Sequence, residues 1–587
     1  MTKNLTFLFF ILIISLSPDL NAQWSPNPSQ NITICDIQQR QSFAKTAATS
    51  DGGCFISWFD QRGNGSYKVY LQRLNALGEK QFAQDGLLVS DKPQNLWLGD
   101  YDLQTDASDN AILVFSDIRN SLQDTIANPF AYKISSTGQF LWGPDGVTLT
   151  NLTTQYQVWP KAAPLSDGSV AIVWWFINSA ERNTWITMQR LNANGVPQFA
   201  NPINIQDPGN KRYQYPDVCA AENGNYIVSW VYGPKDTVGS FVPDNISIFS
   251  MKYNPSGSPL WNSLGVVYNN TGNHVPIYSV PKIYSDGNGG ALYSYFTLES
   301  NVLYSSANRI LSNGTSPFPP NGTVSSTNNI FFHVDPYLAF NQSTNEAYMF
   351  WTMVDASSQS FFTVAGQKFS GTGQRLWTDS GITYTPLDTL EVFGVNCLLH
   401  NNNPVVVYQR AFLNSTIYAF RTDQNGGYVW SGNIINVSTA QSPKSATSSA
   451  INHHNGMVMS AWTDGRNSST FGDGGIYAQN INFNGTIGPV GINVISSEVP
   501  ESFTLGQNYP NPFNNMTSIE FSIKETGKYK MEIFEMTGRK ADVIFDEIKT
   551  PGVYRLNYSA DKFSSGVYIY RLSSVKMDLT KKFLLIK

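Results

Sequence analysis

Three Asp-x-Arg triplets are the residues of this sequence that most resemble a reactive set. Each follows a strand-like run containing a large aromatic residue; they are Asp60–Arg62, Asp117–Arg119 and Asp464–Arg466. A carboxylate beside a guanidinium can bind a polar ligand, but the same pair also holds turns together. Because the triplet recurs at equivalent places, whereas catalysis in a ring is usually asymmetric, we interpret it as a repeated structural ion pair.

The histidines and acidic turns form no catalytic or metal-binding pattern. None of the five histidines belongs to a paired helical zinc motif; they are His274, His333, His400, His453 and His454. Two turns, 423–426 and 285–290, resemble calcium loops only faintly, since the full set of alternating oxygen ligands is missing. No nucleophile elbow or phosphate loop has its strand–turn–helix context. We predict no catalytic, metal or cofactor-binding residues and no cofactor.

Four cysteines, Cys35, Cys54, Cys219 and Cys397, match no zinc spacing. An exported protein can pair cysteines in disulfides. However, three of these residues lie in or beside apolar strand-like runs, where buried free thiols are equally common. The sequence leaves both states open.

The length and composition indicate a folded chain of more than one domain, and its first residues indicate export. Its 587 residues exceed one ordinary core, 41% are hydrophobic and 14% charged. The net charge of −5 without a basic block disfavours nucleic acid and anionic membranes as partners. Residues 1–22 read as a signal peptide, with Lys3, an apolar core and cleavage after Ala22. A membrane anchor is the alternative, but Pro18 and Asp19 interrupt the short apolar run, and no transmembrane segment follows.

A repeat of about 58 residues organises residues 39–495. Its first signature is a turn residue seven positions before an aromatic one, as in Asp51–Trp58 and Asp167–Trp174. Its second is a turn glycine four positions before an aromatic residue, as in Gly78–Phe82 and Gly195–Phe199. The last unit keeps Gly485 but has Pro489 at the aromatic place.

Each repeat reads as four strands, which predicts an all-β fold containing a β-propeller over residues 23–495. The second strand is near-continuously apolar and is expected to be buried on both faces. The third alternates, so one of its faces is expected to meet a core. Eight blades are preferred and seven are the runner-up; residues 31–37 are a candidate outer strand that closes the ring. A row of β-sandwiches would need longer units.

After a linker at 496–502, residues 503–587 predict a small antiparallel, Ig-like β-sandwich. Its motifs closely resemble those of the type A C-terminal sorting domain of the type IX secretion system (Por secretion). The residues that carry this resemblance are Tyr509, Pro510, Asn511, Pro512, Phe513, Gly538, Arg539, Gly566, Tyr568, Lys581 and Lys582. The resemblance implies passage through the periplasm, recognition by the secretion machinery at the outer membrane, and an extracellular or outer-surface location.

The sorting domain does not specify what the propeller does. We expect a non-catalytic module that binds a glycan, a polymer or another surface protein, because propellers present loops around one face. The alternatives are an extracellular carbohydrate-active hydrolase and a structural surface-layer protein. A hydrolase should show carboxylates converging near the ring axis.

Overall fold

A computed structural model describes the chain from residue 24 to residue 586. Within that range it does not describe residues 64, 95–99, 120–125, 179–182, 208–210, 235–245, 271–274, 277, 454–455, 469–473, 489–491, 497–498, 514–515 and 561–562. The predicted signal peptide, His274 and His454 therefore lie outside the described residues.

Eight four-stranded antiparallel sheets follow one another along the chain, each strand pairing with the next. Blade 1 consists of Gln41–Ala48, Cys54–Asp60, Tyr67–Leu74 and Leu87–Gln94; blade 2 of Asp102–Thr105, Ala111–Asp117, Asn128–Ile134 and Val147–Thr148; blade 3 of Tyr156–Pro164, Val170–Asn178, Asn183–Leu191 and Ile203–Ile205; blade 4 of Lys211–Ala220, Tyr226–Pro234, Ser247–Tyr253 and Gly265–Tyr268. Blade 5 consists of Lys282–Ser285, Ala291–Glu299, Val302–Ile310 and Thr323–Val324; blade 6 of Phe331–Asn341, Glu346–Asp355, Phe362–Phe369 and Ile382–Thr383; blade 7 of Val392–His400, Asn403–Arg410, Thr416–Arg421 and Ile434–Ser438; blade 8 of Lys444–Ile451, Val458–Asp464 and Gly475–Ile481, with Ile32–Cys35 as its fourth strand.

The eight sheets form a closed ring. The first strands of successive blades contact one another from blade 1 to blade 8, and that of blade 8 contacts that of blade 1. The strand Ile32–Cys35 pairs with Gly475–Ile481, so the N-terminal segment completes the last blade. The preferred eight blades and the predicted closing strand are confirmed, and the seven-bladed alternative is wrong.

The two repeat signatures correspond to two contacts between neighbouring blades. The aromatic residue of every second strand, such as Trp58 or Trp462, is fully buried between sheets. The aromatic residue after each turn glycine packs on the turn glycine of the next blade: a Cβ on Gly195 would lie 2.7 Å from the ring of Trp142. These glycines have φ near +80°, which a side chain disfavours.

Trp24 supplies the aromatic residue that the last repeat lacks. A Cβ on Gly78 would lie 2.8 Å from the Trp24 indole, as in the other blades. Its Nε1 donates to the carbonyl of Ala76 at 3.1 Å, just as Trp142 Nε1 donates to Ala193 at 3.0 Å. The N-terminal segment therefore provides both the outer strand of blade 8 and its missing stacking residue.

The third strands differ from expectation, because both of their faces are buried. Gly475–Ile481 is buried throughout, and Asn183–Leu191 nearly so. Some of their polar positions are buried amides: Gln189 Nε2 donates to the Phe199 carbonyl at 2.9 Å, and Gln72 to that of Ala83 at 2.8 Å. Others are largely buried cations in ion pairs, such as Lys133 with Asp106 and Arg309 with Asp286. Each blade is covered by a neighbouring blade on both sides. The alternation of polar and apolar residues in the third strands therefore reflects hydrogen bonds from the polar side chains to the adjoining turn, not exposure to solvent.

The C-terminal domain is a two-sheet antiparallel sandwich with its own apolar core. One sheet contains Ile492–Ser496, Gly552–Ser559, Met516–Ile523 and Thr504–Leu505; the other contains Lys540–Lys549, Gly527–Glu535, Gly566–Ser573 and Asp578–Leu585. Because Ile492–Ser496 pairs with Gly552–Ser559, the first strand of the sandwich begins before the boundary expected at residue 495.

Helical structure over the described residues is limited to a short 3-10 turn, Glu222–Gly224. That part of the chain accordingly contains no helix able to span a bilayer.

Candidate functional site

The Asp-x-Arg triplets are structural in all three blades. Each aspartate is fully buried and lies within 2.6 Å of its own arginine, which in turn stacks on an aromatic ring of the neighbouring third strand. In blades 1 and 8 the carboxylate also accepts the indole N–H of the blade tryptophan, as between Trp462 and Asp464 at 2.8 Å. These contacts fix the second strand to its following turn, as the recurrence indicated.

The acidic turns and the cysteines serve the fold as well. Asp423 Oδ1 accepts the backbone N–H groups of Asn425 and Gly427, and Asp286 pairs with Arg309, so both carboxylates act within hairpins. All four cysteines are buried free thiols. Among the described residues, no three His, Cys, Asp or Glu side chains lie together as metal ligands.

The first strand of six blades contains a β-bulge in its N-terminal half. The bulged residues have left-handed φ angles; they are Phe43, Trp159, Tyr215, Asp335, Gly394 and Ala446. The equivalent residues of blades 2 and 5, counted two positions before the first paired residue, are Asp100 and Val280. We call these eight residues the mouth ring, because they occupy equivalent places near the N-terminal ends of the first strands, which contact one another around the ring.

Three aromatic residues in the mouth ring are strained. Phe43, Trp159 and Tyr215 have φ between 51° and 60°, where bulky L-residues are rare and the conformation costs on the order of 1–3 kcal/mol. Glycine occupies the same position in blade 7, as Gly394, so the bulge itself does not require a side chain. The strain at these positions is therefore not imposed by the bulge, although Trp159 and Tyr215 also pack against buried apolar residues.

The aromatic residues of blades 3 and 4 meet at the mouth. The Trp159 and Tyr215 rings lie 5.3 Å apart in an edge-to-face arrangement, and Trp175 lies 5.7 Å from Tyr215. On blade 1, Phe43 is 51% exposed and contacts Phe59 edge-on. The mouth thus carries exposed and half-buried aromatic surface on rigid strands.

A second ring lies two residues further along each first strand. It consists of Lys45, Asp102, Lys161, Asp217, Lys282, Tyr337, Asn396 and Ser448. Basic and acidic residues alternate over blades 1 to 5. We call these residues the axial ring.

Three axial-ring residues join their blade to the next through a backbone hydrogen bond. Asp102 accepts the backbone N–H of Ala162 at 3.0 Å, Asp217 that of Ile283 at 3.2 Å, and Ser448 that of Thr46 at 3.0 Å. In each case the residue that donates its N–H comes directly after the axial-ring residue of the next blade in sequence. First strands have one unpaired edge facing the channel, and these side chains satisfy part of it.

The charges in this region are paired or desolvated. Asp100 lies 2.7 Å from Lys45 and also forms an ion pair with Lys161. Burial alone would raise the pKa of Asp100, but the two ammonium groups hold it well below its usual range. Burial raises the pKa of Asp217 to about 6, with Lys161 opposing and Asp102 adding to the shift. Burial likewise lowers the pKa of Lys282.

Sequence reasoning missed both rings. The mouth ring has no residue type in common, since a bulge accepts Phe, Asp, Gly or Ala alike. The axial ring has a weak signal: its residue stands thirteen positions before the blade aromatic in the first five blades, as Lys45 does before Trp58. Residue types change around the ring, which hides that regularity.

The proline-rich entrance of the sandwich lies along the last strand. Phe513 is buried against Phe583, with ring centroids 5.3 Å apart, and its backbone pairs with Leu584 and Ile586. Asn511 Oδ1 accepts the N–H of Leu584 at 2.8 Å. The remaining entrance residues, Tyr509, Pro510 and Pro512, are exposed, Tyr509 by 81%.

The other predicted sorting residues lie at the same end of the sandwich. In the sheet, Tyr568 lies opposite Glu535 on one neighbouring strand and Phe583 on the other, and its ring stacks on Phe583 with centroids 5.4 Å apart. Glu535 forms an ion pair with Arg539 across the turn that contains Gly538. Gly566 begins the strand of Tyr568, and Lys581 and Lys582 are exposed on the last strand. The structure therefore brings residues of the separate motifs into contact around Phe583 of the last strand.

Residues 507–587 match the family model of the secretion system C-terminal sorting domain. The C-terminal sandwich is thus a sorting domain of a protein-secretion pathway. It is the type IX sorting domain that its motifs resemble, and the protein is accordingly secreted to the cell surface or the extracellular space.

No curated protein sequence matches the chain. Among solved structures, it is similar to a polysaccharide lyase of family PL25, an ulvan lyase, with a TM-score of 0.41 and 10% identity over 78% of this chain and 97% of the lyase. It is also similar to an α-L-arabinofuranosidase of Fusarium graminearum, with a TM-score of 0.32 and 14% identity over 55% of this chain and 92% of the enzyme. A third similar structure is an endo-arabinase of Bacteroides thetaiotaomicron, with a TM-score of 0.26 and 13% identity over 48% of this chain and 96% of the enzyme. Likeness at this level carries no argument about activity.

Proposed function

We propose that the propeller is the non-catalytic binding module of this secreted protein, taking a glycan, a polymer or a surface protein at the mouth ring. The observation that carries the proposal is the presence of Phe43, Trp159 and Tyr215 at strained bulges that glycine also fits. Residues held in strained backbone conformations cluster at functional positions.

A hydrolase is the second candidate, because Asp217 has a pKa raised to about 6 and lies near Asp102. Glycosidases use two carboxyl groups, of which the general acid has a raised pKa. Against this, both carboxylates already accept a backbone N–H of the next blade. Those hydrogen bonds support a role in joining blades.

The test is an array of glycans and polysaccharides probed with the full secreted chain, with reducing ends measured in parallel. Binding without new reducing ends is expected. Hydrolysis that is lost in Asp217→Asn would instead establish the hydrolase. If neither binding nor hydrolysis occurs, and no surface protein is retained, the structural surface-layer role replaces the binding module.

We also propose that the exposed sorting residues contact the secretion machinery. Tyr509, Lys581, Lys582 and Arg539 present polar and charged groups to solvent. Phe513 is buried instead, and Asn511 pairs with the last strand, so these two residues position the surface.

A further inference from the structure

We propose that the ligand of the mouth ring is an uncharged polysaccharide, with sugar rings stacked on Trp159, Tyr215 and Phe43 and hydroxyl groups directed towards the axial ring. This inference rests on the proposed binding function and names the chemical class of its ligand. It follows from the arrangement of the aromatic rings, the backbone strain beneath them and the pairing of the charges.

The aromatic rings offer the surface that a sugar chain needs. Pyranose and furanose rings have apolar C–H faces, which pack on the faces of aromatic side chains. Trp159 and Tyr215 belong to neighbouring blades and contact each other at 5.3 Å, so together they form one wall of the mouth. Phe43 stands two blades from Trp159 with half of its surface exposed, and it can therefore contact another unit of the same chain.

The backbone geometry indicates that these aromatic rings are retained for contact with a ligand. The left-handed bulge occurs with Gly394 and Ala446 in blades 7 and 8, where it forms without a large side chain. A bulge that served only to bend the strand would be most stable with glycine. Large rings at three of the six described bulges with left-handed φ therefore point to a surface selected for binding.

The charges beside the mouth favour a ligand without charge. The Asp100 carboxylate already holds the ammonium groups of Lys45 and Lys161. The carboxylates of Asp102 and Asp217 each accept a backbone N–H. A polyanion would approach Asp100 and the exposed Asp335, and it would have to displace an existing ion pair to reach Lys45 or Lys161. The third axial lysine, Lys282, donates to the Pro336 carbonyl at 3.3 Å.

Hydroxyl groups avoid that conflict. A carboxylate oxygen that accepts one hydrogen bond retains capacity for a second, and a hydroxyl group can also accept from an ammonium group. A sugar can therefore bridge Lys45, Asp100 and Lys161 without separating them. The paired charges supply directional hydrogen bonds, and the aromatic rings supply the apolar contact.

The experiment measures binding of the full secreted chain by calorimetry to three neutral polymers, namely xylan, galactomannan and mixed-linkage glucan, and to two acidic ones, alginate and polygalacturonate. We expect a neutral polymer to bind with an affinity that 0.5 M NaCl changes less than twofold, since no ion pair forms with the ligand. Trp159→Ala should weaken that binding at least tenfold, which corresponds to about 1.4 kcal/mol. Trp159→Phe should restore most of it.

A matched variant controls for general effects. Leu376→Ala removes an exposed apolar side chain from a turn between third and fourth strands, outside the mouth ring. It should bind as the unaltered protein does. Thermal unfolding of each variant verifies that the ring is folded.

Exclusive binding of an acidic polymer that salt abolishes would overturn the neutral class while leaving a binding module at the mouth. Retention of a surface protein with no polysaccharide bound would do the same. Unchanged affinity in folded Trp159→Ala would remove the mouth as the site. Failure to bind any ligand at all counts against the proposed function itself.

Discussion

His333 shows how one buried position is adapted to its blade. Its Nδ1 accepts the indole N–H of Trp351 at 2.9 Å, and its Nε2 lies 2.9 Å from the carbonyl of Asn328, which fixes the neutral tautomer with the proton on Nε2. In blade 3, Gln157 accepts the equivalent indole N–H of Trp174 at 2.7 Å. Burial lowers the pKa of His333 to about 4.

We predict that His333 makes the propeller sensitive to mild acid. The folded-state pKa lies below the unfolded value near 6.5, so the unfolded state binds the proton first as the pH falls. The contribution of His333 to the free energy of unfolding is complete above pH 6.5 and decreases by up to about 3 kcal/mol as the pH falls towards 4. Urea unfolding followed by tryptophan fluorescence at pH 7.5 and 4.5 measures it. His333→Gln should flatten the pH dependence; an equally steep dependence in that variant would exclude His333 as its source.

The opposite sign is expected for Asp217, because its pKa is raised from 3.8 to about 6 in the folded state. Its stabilising contribution is present below pH 4 and is lost as the pH rises through 6. Asp217→Asn should therefore stabilise the propeller by about 1–3 kcal/mol at pH 7.5. At pH 4 the gain should nearly disappear.

The asparagine Oδ1 can still accept the N–H of Ile283, so the substitution removes charge and retains the link between blades 4 and 5. Asp379→Asn, at a side chain that is 79% exposed, is the matched control. A gain that is independent of pH, or one shared by the control, would contradict the assignment to buried charge.

At the scale of elements, closure of the ring depends on the N-terminal segment. Trp24 is 1% exposed and joins a core that contains Ile32 and Ile34 of the closing strand and Trp58 of blade 1. In the other blades, the aromatic residue that packs on a turn glycine comes from the blade that precedes it in sequence. Here Trp24 of the N-terminal segment packs on Gly78 of blade 1, at the place where blades 8 and 1 meet.

We predict that Trp24→Ala lowers the free energy of unfolding by about 3–5 kcal/mol, the usual cost of deleting a buried tryptophan side chain. Ser25→Ala, one residue away, should change it by less than about 0.5 kcal/mol. Chemical denaturation of both variants provides the comparison. An unchanged midpoint for Trp24→Ala would show that the closing strand alone holds the ring.

The same elements show what sequence can and cannot predict. The blades were predictable because the buried aromatic and the left-handed turn glycine each have one physical requirement that few residue types satisfy. The role of Trp24 was not, since its partners lie in blades 8 and 1 and its own surroundings do not repeat. The mouth and axial rings were hidden for a related reason: a bulge and a strand edge accept many side chains, so neither constrains residue type.

At the scale of the whole molecule, the sorting domain acts as a unit separate from the ring in its packing. Its core is built from residues 505–585 alone. The strand Ile492–Ser496 also belongs to its sheet, which places the structural division before residue 492. A truncation at residue 500 would therefore leave that strand without its partner, Gly552–Ser559.

We predict that deleting residues 492–587 leaves a folded propeller that is not secreted and accumulates in the periplasm. The ring keeps all of its blades, since its last strand in sequence is Gly475–Ile481. Fractionation of cells and medium with an antibody to the propeller measures the distribution, and protease resistance of the periplasmic pool reports folding. Secretion of the truncated chain at the normal level would contradict the prediction.

A milder change separates loss of the domain from loss of its surface. Lys581→Glu with Lys582→Glu reverses two exposed charges on the last strand, while Phe583 of the same strand stays buried against Phe513. Charge reversal at exposed sites leaves the sandwich folded, so any loss of secretion comes from recognition by the machinery. We expect the double variant to accumulate in the periplasm with an intact, protease-resistant sorting domain. Normal secretion would exclude the two lysines from the recognised surface and direct attention to Tyr509 and the entrance.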